Sequence, residues 1–91
     1  MYKAEVEIYA DTSNQAIMKH PGRHYPGSLM QGDTLYILCQ ELDELCEEIK
    51  KGNYDDAAYC ANEIRNDLWD RLNHYQEVLT EHGFDVPFKR T

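Results

Sequence analysis

Ninety-one residues predict one small domain, and a chain of this size buries only about 60% of its unfolded surface, so a partner or a second copy is expected to complete it. A composition that is 42% hydrophobic, with seven Tyr, two Phe and one Trp, suffices for a core and excludes a disordered chain. The net charge of −8 excludes DNA, RNA and anionic membranes as generic partners, because an acidic surface is repelled by them.

Residues 2–10 alternate. Ala4, Val6, Ile8 and Ala10 fall on one side and Lys3, Glu5, Glu7 and Tyr9 on the other, which predicts a strand with the first set buried. Asp11-Thr12-Ser13-Asn14 is a turn cluster. Gln15–Lys19 reads as a second strand. A helical turn capped by Ser13 is the alternative, but Pro21 pushes His20 into extended conformation and leaves no length for it. Pro21-Gly22 and Pro26-Gly27 mark a loop, and Ser28–Gln31 a short third strand.

Asp33 is the expected N-cap of a helix running to Lys51. Leu35, Leu38, Leu42, Leu45 and Ile49 form its apolar stripe, widened by Cys39 and Cys46. Gly52 is the expected C-cap, and Asn53 caps a second helix from Tyr54 to about His82. The short connection makes the two an antiparallel hairpin. The second helix is longer, so its part from Leu72 onward must find the sheet or a second subunit. Trp69 beside its stripe points either to a dimer or to packing on the sheet. Gly83 ends that helix. Phe84, Val86 and Phe88 alternate, which fits an edge strand or a segment packed back, and Lys89-Arg90-Thr91 is a basic, frayed tail. The chain thus reads as α+β: a small antiparallel sheet of about three strands (1–32), a helical hairpin (33–82) and a tail (83–91).

The three Cys are odd in number and lie inside helical patterns, so they read as reduced thiols of a cytoplasmic protein. No apolar run approaches a membrane span, and MYKAEVEIYA is charged and alternating, unlike a signal peptide.

The chemistry gathers in Lys19–Thr34, KHPGRHYPGSLMQGDT. Anions bind where backbone amides converge beside a cation. Gly22, Gly27 and Gly32 allow close backbone approach. Lys19 and Arg23 supply charge, and Arg is suited to bidentate phosphate contacts. His20 and His24 donate hydrogen bonds, and Tyr25 offers a stacking face. Ser28, Gln31 and Thr34 add neutral hydrogen bonds. Asp33 would occupy the helix N-terminus itself, so a phosphate would sit over the loop, with Asp33 facing Arg23 or a ligand hydroxyl. The plainer reading is a Gly/Pro hairpin with solvated Arg23 and His24 at its tip.

No metal or cofactor is expected. Pro21-Gly22 keeps His20 and His24 off one helical face, and His74 and His82 read as solvated. Ser28, His24 and Asp33 are the residue types of a nucleophilic centre, but no motif places them, so catalysis is not the leading reading. The acidic helix faces, including Glu41, Glu44, Glu47, Glu48, Asp55, Asp56 and Glu63, are a soluble surface or a decoy for a basic partner.

Pro21 to Leu35 has the form PGRxxPGxLxQGDxL, preceded by VEIYADTSN. In this first third the chain resembles a family of small uncharacterised bacterial and phage-borne proteins. The resemblance implies no reaction. It does imply that Arg23, Gln31 and Asp33 belong to a shared pattern, which favours a binding site over hairpin filler. The leading expectation is therefore non-catalytic binding of a small anionic, nucleotide-like ligand. It would be held by Lys19, His20, Arg23, His24, Tyr25, Ser28, Gln31, Asp33 and Thr34, in a homo-oligomer with a dimer favoured, and such a protein would sequester its ligand in phage–host conflict. The alternative is an immunity protein that covers a toxin or defence enzyme with its acidic helices.

Overall fold

The computed structural model describes residues 1–12 and 15–90. Ser13 and Asn14 of the expected turn cluster, the possible Ser13 cap, and Thr91 of the tail lie outside the described residues. The elements are β1 (Glu7–Ala10), β2 (Gln15–Lys19), β3 (Gly27–Met30), α1 (Gly32–Lys51) and α2 (Tyr54–Glu81), a three-stranded antiparallel sheet followed by two helices. This is the α+β architecture read from the sequence, with Gln15–Lys19 as strand. Two compact units result, Met1–Met30 with Leu72–Thr91, and Gln31–Arg71.

In the first unit the sheet order is β1-β2-β3, so β2 is central and its alternation sets both faces. Gln15 and Ile17 are buried, whereas Ala16 and Met18 are half-buried on the opposite face. Ile17 forms the core with Tyr75, Val78 and Leu79, and Tyr9, Ala10, Phe84, Val86 and Phe88 pack against it. The helix from Leu72 onward thus finds the sheet. Tyr75, Val78 and Leu79 recur at the three- and four-residue spacing that puts them on one helical face. Burying each of these large side chains contributes about 1.5–3 kcal/mol.

The first strand is shorter than its alternation suggested, and Ile8 and Tyr9 exchange their expected sides. Residues 2–6 are exposed and outside the ladder. Glu7 pairs with Lys19 and Ile8 with Met18, but Ala10 pairs with Ile17, which leaves Tyr9 as an extra residue in a bulge. The bulge turns both Tyr9 and Ala10 to the core, while Ile8 is 54% exposed across from Met18. Period two predicts which residues share a face only while the ladder is regular.

At the end of α2, Gly83 takes φ 76°. Its N–H donates to Thr80 O (3.1 Å), and the Phe84 N–H donates to Leu79 O (2.9 Å). This is the Schellman arrangement, and it aims Phe84 back at the core. The segment after it packs back without forming a strand. Nor does the described tail fray: Arg90 Nη2 donates to Asn73 Oδ1 at 2.9 Å.

In the second unit, α1 starts two residues earlier than an Asp33 cap implies. Gln31 occupies the N-cap position with no side-chain cap bond. Asp33 is inside the first turn, where its Oδ1 accepts from the Thr34 N–H at 2.8 Å. Gly52, at φ 77°, closes α1: its N–H reaches Ile49 O, and the Asn53 N–H reaches Glu48 O. Asn53 stands at the N-cap of α2, where its carbonyl accepts from the Ala57 N–H (2.9 Å), but its side-chain amide donates to Glu48 Oε2 (2.9 Å). The side chain therefore ties the turn to α1 instead of capping α2. Ala57 and Ile64 are buried, yet no residue of α1 is.

Candidate functional site

The candidate site is a cleft of about 500 Å³ in the first unit, on the sheet face opposite Ile17. Strand alternation builds its floor. Met18 points away from the core because Ile17 points into it. Leu29, paired with Ala16, is 49% exposed on the same face, and Val6 completes the apolar surface. His20, Arg23, His24 and Tyr25 come from the loop between β2 and β3, and Gly27 and Ser28 close the wall.

Two contacts shape the loop. The Arg23 N–H donates to His20 O at 3.0 Å, which closes a turn over Pro21-Gly22. The Gly22 N–H donates to His20 Nδ1 at 2.9 Å. That bond needs a lone pair on Nδ1, so the neutral imidazole carries its proton on Nε2. Gly22 suits this close approach: a Cβ on it would come to 3.3 Å from Cε1 and Nδ1 of the exposed His20 ring, so the ring would have to give by a few tenths of an ångström.

The far end of the loop is held from below. The Tyr75 hydroxyl donates to the carbonyl of Pro26, which is itself buried. Burial, and after it the nearby Tyr25, pushes the Tyr75 hydroxyl above its ordinary value and keeps the proton in that bond. His24 and Tyr25 meet edge to face, with centroids 4.8 Å apart at 88°. Arg23 forms no ion pair among the described residues.

The cleft therefore joins His20, Arg23, His24, Tyr25 and Ser28 of the expected residues. Ser28 pairs with Ile17, and its hydroxyl accepts from Gln15 Nε2 at 2.8 Å, so that oxygen is engaged within the sheet. Lys19 is not part of the lining; alternation places it on the face of Ile17, opposite Met18. Gln31, Asp33 and Thr34 belong to the second unit. Val6, Met18 and Leu29 were not read as site residues. Their alternation was visible, but nothing local says which face of a strand the core will cover.

The other histidines serve packing or stand apart from the cleft. The His82 ring lies 4.8 Å from Tyr9, centroid to centroid, and its Nδ1 is 3.0 Å from Val78 O. Among the described residues no three His, Cys, Asp or Glu side chains are grouped to hold a metal ion, and no helix is long and apolar enough to cross a membrane.

In the second unit, Glu41, Glu44 and Glu63 surround a smaller groove of about 210 Å³ with Tyr59 and Cys60. Burial, and then the carboxylates of Glu44, Glu48, Asp56 and Glu41, push the Cys60 thiol up. This disfavours its thiolate and slows its reactions.

One family model, of a family of unknown function (DUF6959), matches residues 1–88. No curated protein and no solved structure matches the chain.

Proposed function

We propose that this chain, which belongs to the family of unknown function DUF6959, is a non-catalytic binding protein for a small anionic, nucleotide-like ligand. The observation that carries the reading is the two-part cleft. It has an apolar floor of Val6, Met18 and Leu29 under a rim of Arg23, His20 and His24. A ligand that meets both parts has a flat or apolar body and an anionic group. The body lies on the floor beside Tyr25, and the anion takes the Arg23 fork, with the imidazole N–H groups as further donors.

The finer reading is that binding sequesters the ligand in phage–host conflict. Its support is the likeness of the Pro21–Leu35 segment to phage-borne proteins.

The test is native mass spectrometry of the protein purified from its host, followed by thermal shift against a nucleotide panel. A co-purifying molecule of several hundred daltons, or a shift that Arg23→Ala removes, supports the proposal. A clean apoprotein with no shift across the panel overturns it.

The groove of Glu41, Glu44 and Glu63 favours a second reading, an inhibitor or immunity protein that covers a basic toxin or defence enzyme. Reversing Glu44, Glu47 and Glu48 to Lys would abolish that role and leave ligand binding intact.

A further inference from the structure

We infer that the hairpin unit, Gln31–Arg71, is half of a four-helix bundle, completed by the same unit of a second copy of this chain. The starting observation is α1: twenty residues with an apolar stripe and no buried residue. Leu38 and Leu45 are half-buried, while Leu35, Leu42 and Ile49 stay 54%, 47% and 51% exposed. On the part of α2 within this unit the buried positions are Ala57 and Ile64, flanked by exposed Ala61 and by Leu68 at 47%.

The exposed rows share a side. Leu42 lies four residues after Leu38, as Ala61 does after Ala57, and each recurs at seven. An antiparallel helix pair has a local twofold axis perpendicular to both helices. That axis exchanges the helices and leaves equal offsets on the same side of the pair. The hairpin therefore presents one apolar face, with Arg65 at its edge on α2 as Cys46 is on α1. The groove of Glu41, Glu44 and Glu63 lies on its opposite side, because those positions fall at the opposite offset.

This segregation of charge selects the occupant. A second copy presents the same apolar rows, so two faces meet without bringing a carboxylate into the contact, and both acidic grooves point outward, where their repulsion is screened. An isologous contact of this kind closes as a twofold dimer. The face is about 25 Å long at 1.5 Å per residue and two helices wide, at about 9 Å between axes. That is roughly 450 Å² per partner in flat projection, at the small end of specific interfaces, so a reversible dimer is expected. Leu42 sits at the centre of the face, Leu68 toward the end away from Gly52, Cys46 at its edge, and Cys60 toward the groove.

The test is sedimentation equilibrium of the full chain from about 1 to 100 μM, with iodoacetamide labelling of the wild-type cysteines at each concentration. The expected result is a dimer mass, with Cys46 labelling slowed several-fold as the dimer forms and Cys60 labelling unchanged. Leu42→Glu and Leu68→Glu are expected to weaken association at least about 100-fold, and Glu44→Lys to leave it intact. The labelling needs no variant and so stands even where a substitution unfolds the hairpin. A monomer at all concentrations, or a dimer in which Cys46 labels at the monomer rate, overturns the inference. Neither outcome bears on the cleft, which belongs to the other unit.

Discussion

Tyr75 and Pro26 are joined by a hydrogen bond across 49 positions of sequence, from the phenol on α2 to the backbone carbonyl at the end of the Gly/Pro loop. Both residues are buried, so no water replaces either partner. The bond makes the loop, and with it Tyr25 and Arg23, an extension of the core.

Tyr75→Phe keeps the ring in the core and orphans a buried carbonyl. The expected cost is about 1–3 kcal/mol, measured by urea denaturation. The pH dependence follows from the raised ionisation of Tyr75. The folded state holds the proton more tightly than the unfolded state. This stabilisation is therefore fully present below the unfolded value of about 10 and is lost as pH rises through the folded value. The wild type should lose stability in that alkaline range relative to Tyr75→Phe, so the gap between the two narrows. A gap that stays constant there would mean that Tyr75 ionises alike in both states.

Gly22→Ala places a methyl within 3.3 Å of the His20 ring. The ring must give by a few tenths of an ångström, which weakens the bond from the Gly22 N–H to Nδ1. Global stability should change by less than about 1 kcal/mol, since the site is exposed. The neutral imidazole should shift from pure Nε2–H toward a mixture of tautomers, read from its ¹⁵N signals.

Arg23→Ala and Lys19→Ala should separate. Arg23 lines the cleft and Lys19 does not. Losing Arg23 should weaken binding of an anionic ligand about 10- to 100-fold, the range for a charge-assisted hydrogen bond. Losing Lys19 should change it by about twofold or less, the weak effect of an exposed charge in salt. Calorimetry with the ligand that co-purifies measures both. Equal losses would move the anion out of the cleft.

Cys60 should alkylate more slowly at pH 8 than Cys39 or Cys46 at low protein concentration. Cys39 and Cys46 are exposed, whereas Cys60 is half-buried and surrounded by carboxylates that disfavour its thiolate. Glu44→Gln should raise the Cys60 rate by removing one of those charges. Mass-spectrometric mapping of partially labelled protein reads all three sites at once.

The helices were legible to within a residue at three of their four ends, because periodicity, Gly52 and Gly83 act locally. Asp33 misled by two positions at the start of α1: it resembles a cap, but it lies inside the first turn and its carboxylate bonds the adjacent Thr34 N–H. The second strand was legible from Pro21, since the ring of a proline restricts the residue before it. Of the cleft, the loop residues His20, Arg23, His24 and Tyr25 stood out by type alone. Its apolar floor did not.

What the sequence alone determined about this protein is which residues travel together: Gln15 with Ile17, Met18 with neither, Leu35 with Leu42 and Ile49. Backbone geometry sets those groupings, and every residue carries it. The tertiary structure decided which group faces inward. A single bulge at Tyr9 put Tyr9 beside Ala10 on the core and left Ile8 on the other face. The packing of Ile17 on Leu79 sent Met18 out to floor a cleft and took Lys19 away from it. Burial is a property of two surfaces meeting, and the second surface, α2 beyond Leu72, lies more than fifty residues away along the chain.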